Sequence, residues 1–256
     1  MKKNNKEMIK VENICRDYSK FGANAEKTES IRVLNELSFS IEKQEFVGIM
    51  GKSGCGKTTL LKVLGLIDRA TSGSMYFQEK EVEKLWDNEL SDIRRRDIGF
   101  VFQDYYLMDS LTVRENIMLP MVLDKQSLDR CMEQGEKYAE HFGLKHLLNK
   151  YPYELSGGEK QRVAISRALI NNPNVILADE PTGNLDSKSG KVVVDALKNI
   201  NEKMEKTVIM VTHDPQIASY CNRIIFLKDG KILKDIRKHG EREEFYQQIL
   251  EMMVEL

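Results

Sequence analysis

Hydrophobic positions recur along this chain in two alternating rhythms. Short apolar runs at 46–50, 98–102, 175–178 and 208–211 have strand length, and the first is nearly all apolar, as expected of a strand covered on both faces. Ile9, Val11 and Ile14 open the chain as a strand, and 33–40 is a further strand candidate. A polar segment over 19–30, with Gly22 and Asn24, reads as a loop. Between the strands the spacing lengthens to that of helices. One starts at Lys57, runs through Leu60, Leu61 and Leu64, and stops near Gly65. Trp86, Leu90 and Ile93 have the same spacing, as do Val193, Leu197, Ile200 and Met204. Leu128, Met132, Ala139 and Phe142 share a predicted face, with Gly143 as its stop. Apolar runs at 223–227 and 231–233 flank Asp229-Gly230, a hairpin turn signal. The tail carries Phe245, Ile249, Met253 and Leu256 at roughly helical spacing. Folding back on the core explains that stripe better than a partner contact does.

Strands that alternate with helices imply an α/β core with parallel strands. The stretch 104–172 is helix and loop throughout, so it reads as a subdomain inserted into a core drawn from both ends of the chain. Composition narrows the function classes. Thirty-nine Lys and Arg against 40 Asp and Glu leave a formal net charge of −1, which argues against a nucleic-acid partner. With 41% hydrophobic and 31% charged residues, the 256-residue chain has the makings of a soluble globular core. No apolar run approaches the roughly 18 residues of a membrane span, and the first ten residues lack the apolar stretch of a secretory signal. The four cysteines, at 15, 55, 131 and 221, include no CxxC pair. These features predict a cytoplasmic chain in a reducing compartment, and any membrane part belongs to another chain.

Gly51-Lys52-Ser53-Gly54-Cys55-Gly56-Lys57-Thr58 fits the pattern GxxxxGK[ST], between a buried strand and an amphipathic helix. Glycines let the backbone curl until its N–H groups face phosphate oxygens, and the helix N-terminus adds positive potential there. Lys57 then reaches the β- and γ-phosphates, the Thr58 hydroxyl is a ligand for Mg²⁺, and Thr59 joins the nucleotide-binding set. The plain alternative is a glycine-rich turn with an exposed lysine.

The run 175–178 ends in Asp179 and Glu180. Ligands of open α/β sheets bind at the carboxyl ends of strands. Asp179 is expected in the Mg²⁺ shell, and Glu180 as the group that orients or deprotonates an attacking water. Taken alone, the pair could equally be two solvated acids.

Leu155-Ser156-Gly157-Gly158-Glu159-Lys160-Gln161-Arg162 resembles the LSGGQ signature of ABC-type ATPases, with Glu159 where Gln is commonest. Together with the phosphate loop and the Asp-Glu strand end, this resemblance covers about residues 8–240. It implies a single ABC ATPase domain over 8–240, followed by a C-terminal helix over 241–256. Its P-loop NTPase core (8–103 and 173–240) is a RecA-like sheet plus an antiparallel β subdomain, and a helical subdomain is inserted over 104–172. It implies an ATPase that uses ATP and Mg²⁺ and works as a head-to-tail homodimer. In that dimer Ser156, Gly157 and Gly158 of one subunit cap the ATP held by the loop of the other. By motif, Gln103 matches the Q-loop glutamine that senses metal and attacking water, and His213 the switch histidine at the γ-phosphate. Asp186, in Asn184-Leu185-Asp186, matches the loop that crosses the dimer interface. Tyr18 matches the aromatic residue that stacks on adenine, although a surface tyrosine is the plain alternative. Gln44 stands where many relatives have glycine, at a turn remote from the chemistry.

Thr182-Gly183-Asn184-Leu185-Asp186 resembles the group that includes macrolide-export, lipoprotein-release and division-associated ATPases. Gln103-Asp104-Tyr105-Tyr106-Leu107-Met108, the run 111–120, Thr212-His213-Asp214-Pro215 and the tail near Phe245 are most similar to the bacitracin-export (BceA-like) branch. That branch implies a MacB/FtsX-type transmembrane permease as partner, a place on the inner face of the membrane, and resistance to cell-wall-active peptides. A sensor histidine kinase, reached through the permease, is implied as well. Exposed Tyr105, Tyr106, Leu107 and Met108 would suit a groove for the permease, or simply pack within the helical subdomain. Lipoprotein-release, macrolide-export and division-type roles remain alternatives. A soluble ABC protein acting on DNA or ribosomes fits less well, because the chain has neither a long coiled coil nor a second cassette.

Overall fold

The computed structural model describes residues 6–20 and 29–256. The chain divides into two compact units, one formed by the residues up to Leu90 together with Val211–Leu256, the other by Ser91–Met210.

In the first unit, β1 (Glu7–Lys20) pairs antiparallel with β2 (Glu29–Glu42) on one side and β4 (Ser72–Phe77) on the other, and β5 (Lys80–Glu81) extends the sheet beyond β4. Ile9, Val11 and Ile14 are all buried, although strict alternation would turn Ile14 outward. A register shift between Val11 and Ile14, with Asn13 at φ +51°, inserts the extra residue that returns Ile14 to the covered face. The segment 19–30 was expected to be a loop, but its two ends are strand. Ser19 pairs with Ser30 and Lys20 with Glu29, so the hairpin ladder carries on there. The middle of that segment, with Gly22 and Asn24, lies outside the described residues.

Five buried residues form β3 (Phe46–Met50), which runs parallel to β9 (Arg223–Lys228). A Cβ on Gly48 would lie 2.4 Å from the Ile224 side chain, so glycine allows this approach. β10 (Lys231–Arg237) returns antiparallel along β9. Asp229 (φ +48°) and Gly230 (φ +74°) give the doubly left-handed turn that suits strand twist. Arg223 is buried beside this hairpin. It donates to Asp235 through Nε (2.8 Å) and to Ser40 O through Nη1 (2.7 Å), and it pairs with the buried Glu45. The unit also holds α1 (Lys57–Leu64), the short α7 (Pro215–Ala218) and α8 (Arg242–Met253). Phe245 and Ile249 of α8 are fully buried, and Lys228 Nζ donates to Glu255 O (2.6 Å), so the tail stripe covers its own unit.

In the second unit, β7 (Val175–Asp179) lies between β8 (Thr207–Val211) and β6 (Ile98–Phe102). The pairing of β6 with β7 is parallel and sets Phe102 beside Asp179. The last residue of β8 passes into the first unit. Helices α3 (Val113–Leu123), α4 (Leu128–His141), α5 (Gly157–Leu169) and α6 (Ser187–Glu202) complete the second unit, and α2 (Asp87–Asp97) leads into it. α4 buries Cys131, Gly135 and Ala139, and a Cβ on Gly135 would lie 2.9 Å from Met118 of α3. Leu128 was expected on that face but is exposed, because it is the first helical residue and projects past the packing. Trp86 likewise precedes α2 and is 78% exposed, whereas Leu90 and Ile93 are buried. Among the described residues, no helix is long and apolar enough to cross a membrane.

Candidate active site

In the first unit the loop 51–56 joins β3 to α1. Gly54 (φ +80°) and Gly56 (φ +104°) take left-handed conformations that a side chain would oppose. A Cβ on Gly51 would lie 2.3 Å from Leu227 O, so glycine is required there by proximity. Lys57 is buried, and its ammonium donates to Gly51 O (2.8 Å) and Lys52 O (3.0 Å), which curls the loop around it. Lys52, Ser53, Gly54 and Thr58 are exposed at the mouth of the loop, while Thr59 is half-buried. Cys55 is buried, and desolvation pushes its thiol above the ordinary value, so it packs as an apolar group. His213 is exposed two residues beyond β8, next to the buried Thr212, whose amide donates to Ile49 O (3.2 Å). Tyr18 lies on β1 with its hydroxyl donating to Asp68 (2.6 Å) and the Arg16 guanidinium 4.5 Å above its ring.

In the second unit Asp179 and Glu180 close β7, both half-buried. Glu180 has φ +43°, a conformation that costs a non-glycine residue about 1–2 kcal/mol. Strain of this size persists only where the surroundings over-determine it. Gln103 follows β6, and its side chain is clamped. Its Nε2 donates to Asn184 Oδ1 (3.1 Å), and Asn184 Nδ2 donates back to Gln103 O (3.2 Å) and Asp104 Oδ1 (3.1 Å). A Cβ on Gly183 would lie 2.8 Å from Gln103 Nε2, so the Gly183-Asn184 pair fits around this side chain.

Ser156 is the N-cap of α5 in a reciprocal box with Glu159. The Ser156 hydroxyl (2.7 Å) and amide (2.8 Å) both donate to the Glu159 carboxylate. These bonds hold the Glu159 carboxyl below the usual carboxylate range. Gly158 is buried against Ser189, and Gly157 lies close to Tyr105 and Leu185. Asp186 caps α6 through the amides of Lys188 (2.9 Å) and Ser189 (3.0 Å), which lowers its carboxyl.

Of the residues expected to be exposed after Gln103, Tyr106 and Met108 are, whereas Tyr105 and Leu107 are half-buried. The reason is Arg167, which the sequence reading passed over. It reaches from α5 to the carbonyls of Tyr105 (2.7 Å) and Tyr106 (2.5 Å) and draws the turn inward. Nothing local marks Arg167, because its partners lie about 60 residues away. Arg167 also lines a cavity of ≈ 560 Å³, together with the apolar Phe100, Leu119 and Leu123 and the basic Arg94 and Arg95.

The expected Mg²⁺ ligands, Thr58 in the first unit and Asp179 and Gln103 in the second, each carry an oxygen donor, which suits Mg²⁺ and not a soft metal. Among the described residues no three His, Cys, Asp or Glu side chains form a metal cage. A Mg²⁺ held by one carboxylate, a hydroxyl and substrate phosphates needs none, so these residues fit the ion.

A family model described as ABC transporter matches residues 34–183. The chain is 49% identical over 226 residues to the ABC transporter ATP-binding protein YvcR of Bacillus subtilis, covering 88% of this chain and 87% of that protein. It is 44% identical over 234 residues to the bacitracin export ATP-binding protein BceA of Halalkalibacterium halodurans, covering 91% of each. Among solved structures it resembles a dimeric ATP-binding cassette in a post-hydrolysis state bound to ADP and Pi. That match has a TM-score of 0.82 and 41% identity, and covers 91% of this chain and 100% of that one.

Proposed function

The chain belongs to the ABC transporter family, as an ATP-binding subunit with ATPase activity on an α/β P-loop NTPase fold, and from that premise we propose how its residues divide the work. Two subunits pair head to tail. The loop 51–59 of each holds one ATP, with Lys57 leaving the Gly51 and Lys52 carbonyls for the β- and γ-phosphates. Tyr18 would stack on the adenine, and Thr58, Asp179 and Gln103 would hold Mg²⁺, which when bound offsets phosphate charge. Ser156, Gly157 and Gly158 of the partner close over the γ-phosphate, and Asp186 stands at the seam. Glu180 takes the proton of the attacking water, and His213 orients that water and the γ-phosphate. Loss of the γ-phosphate removes the contacts that held the halves together, and they part.

The observation that carries this reading is the strained Glu180 at the end of β7, immediately after the Asp179 carboxylate. Replacing Glu180 by Gln keeps the shape and removes the base. Turnover should fall by about 10²-fold or more, while ATP now accumulates a stable dimer on gel filtration. Rapid steady-state hydrolysis by E180Q would falsify the assignment.

We infer further that the subunit serves a MacB/FtsX-type permease in resistance to cell-wall-active peptides, as similarity to a bacitracin export ATP-binding protein supports. The apolar cavity beside Phe100, Leu119 and Leu123 is the seat we assign to that permease, and the exposed Tyr106, whose carbonyl is held by the cavity-lining Arg167, is assigned to the same surface. Affinity purification from the organism's own solubilised membranes tests this. A many-spanning permease with a large extracellular domain supports it, a sensor kinase recovered only together with that permease supports it further, and recovery on ribosomes or DNA overturns it.

A further inference from the structure

Tyr105 (φ +62°) and Tyr106 (φ +44°) are consecutive non-glycine residues in the left-handed region, beginning two residues after Gln103. Two bulky residues do not hold such a turn unaided. Local bonds contribute little: Tyr105 N donates to Phe102 O at 3.2 Å, Tyr106 N to Asp104 O at 2.6 Å, and the Tyr106 ring meets Phe102 edge-on at 5.0 Å. What fixes both carbonyls is the fork of Arg167, whose Nη2 and Nη1 donate to Tyr105 O and Tyr106 O. Among the described residues no carboxylate is paired with this guanidinium, and burial pushes its pKa down from the ordinary value. Its side chain is therefore committed to the turn and not to a salt bridge. Arg167 stands on α5, the helix whose N-terminus is Ser156-Gly157-Gly158, about 15 Å away along the axis.

We propose that Arg167 is a positioning residue, a latch that holds the strained turn after Gln103 and ties it to the signature end of α5. It touches neither nucleotide nor water. Through the latch, a displacement of the turn by whatever occupies the adjoining cavity, which Arg167 also lines, moves Gln103 and the signature helix together. Planarity matters, because a guanidinium presents its donors in a rigid fork that fixes the spacing of the two carbonyls, whereas an ammonium is a compact charge on a flexible stem and constrains them less. This inference rests on the reading of Gln103 given under the proposed function.

The test compares steady-state ATPase kinetics of the full-length chain with those of R167M, R167K and Q103A, and of R167M combined with Y106G. The latch predicts that R167M lowers kcat about tenfold or more, with KM for ATP within twofold, since ATP binding rests on the loop 51–59. R167K should lie between R167M and the unaltered chain. Adding Y106G relieves the left-handed strain at one of the two positions, and so should recover a substantial part of kcat without Arg167. Unchanged kcat in R167M overturns the latch. So does a joint loss of kcat, ATP affinity and melting temperature that Y106G does not recover, because that marks an ordinary structural arginine. If Q103A itself turns over normally, the reading of Gln103 fails; if Q103A is slow and R167M is not, the latch alone fails.

Discussion

Lys57→Met keeps the length and burial of the side chain and removes its charge. The ammonium is engaged by the loop itself, donating to Gly51 O and Lys52 O. ATP therefore does not meet an idle cation, and its gain is the exchange of two neutral acceptors for anionic ones. A unit charge pair about 4 Å apart near a protein surface is worth about 4 kcal/mol. The two carbonyl bonds given up are worth about 1–2 kcal/mol net. The difference, about 2–3 kcal/mol, predicts a Kd for a non-hydrolysable ATP analogue raised about 30–150-fold. At a ligand concentration of 100 Kd for the unaltered chain, bound ligand adds about 2.7 kcal/mol of stability, and a 50-fold weaker variant keeps about 0.6 kcal/mol. The ligand-induced rise in melting temperature should then fall from about 5–11 °C to about 1–3 °C. Calorimetric titration and thermal melts measure both quantities. A Kd within threefold of the unaltered value, or an undiminished thermal shift, would refute the exchange argument, because the charge would then have no role in holding phosphate.

Three further outcomes follow from the same geometry. Gly183→Ala drives a Cβ to within 2.8 Å of Gln103 Nε2, so Gln103 must move. Turnover should drop about tenfold to a hundredfold with ATP affinity unchanged, and full activity would dismiss the clamp. Arg223→Met leaves the buried Glu45 with Arg237 (3.0 Å) as its one cationic partner among the described residues, so urea unfolding should show a loss of about 3 kcal/mol, and a loss under 1 kcal/mol would contradict it. The Glu159 carboxyl is depressed by donation from Ser156, so the unfolded chain takes up the proton first. Its stabilisation is present at pH values above the unfolded carboxyl range near 4.3 and disappears as pH falls through the lower folded value. The stability gap between the unaltered chain and Ser156→Ala should thus be larger at pH 7 than at pH 3, as judged by denaturant midpoints, and an equal gap would remove the charged cap from the account.

Local patterns in the sequence determined a large part of this protein. The runs at 46–50 and 98–102 coincide with β3 and β6, and the helix expected from Lys57 to Gly65 coincides with α1. These elements carry their reasons in adjacent residues: apolar composition in the strands, and a glycine before and after the helix. The loop 51–58, the strand end at Asp179-Glu180 and the helix start at Ser156 were legible for the same reason, since each chemistry needs consecutive backbone groups. Tertiary structure decided whatever depends on a distant neighbour. Register shift, not alternation, buried Ile14. A position at the helix start, not spacing, exposed Trp86 just before α2 and Leu128 as the first residue of α4, because a periodic pattern names a face without saying whether another element covers its end. Gln103 is set by Asn184, 81 residues away, and the turn behind it by Arg167, 61 and 62 residues away. A hydrogen bond between residues so far apart leaves no local trace, because the distance along the chain is closed only when β6, β7 and α5 pack.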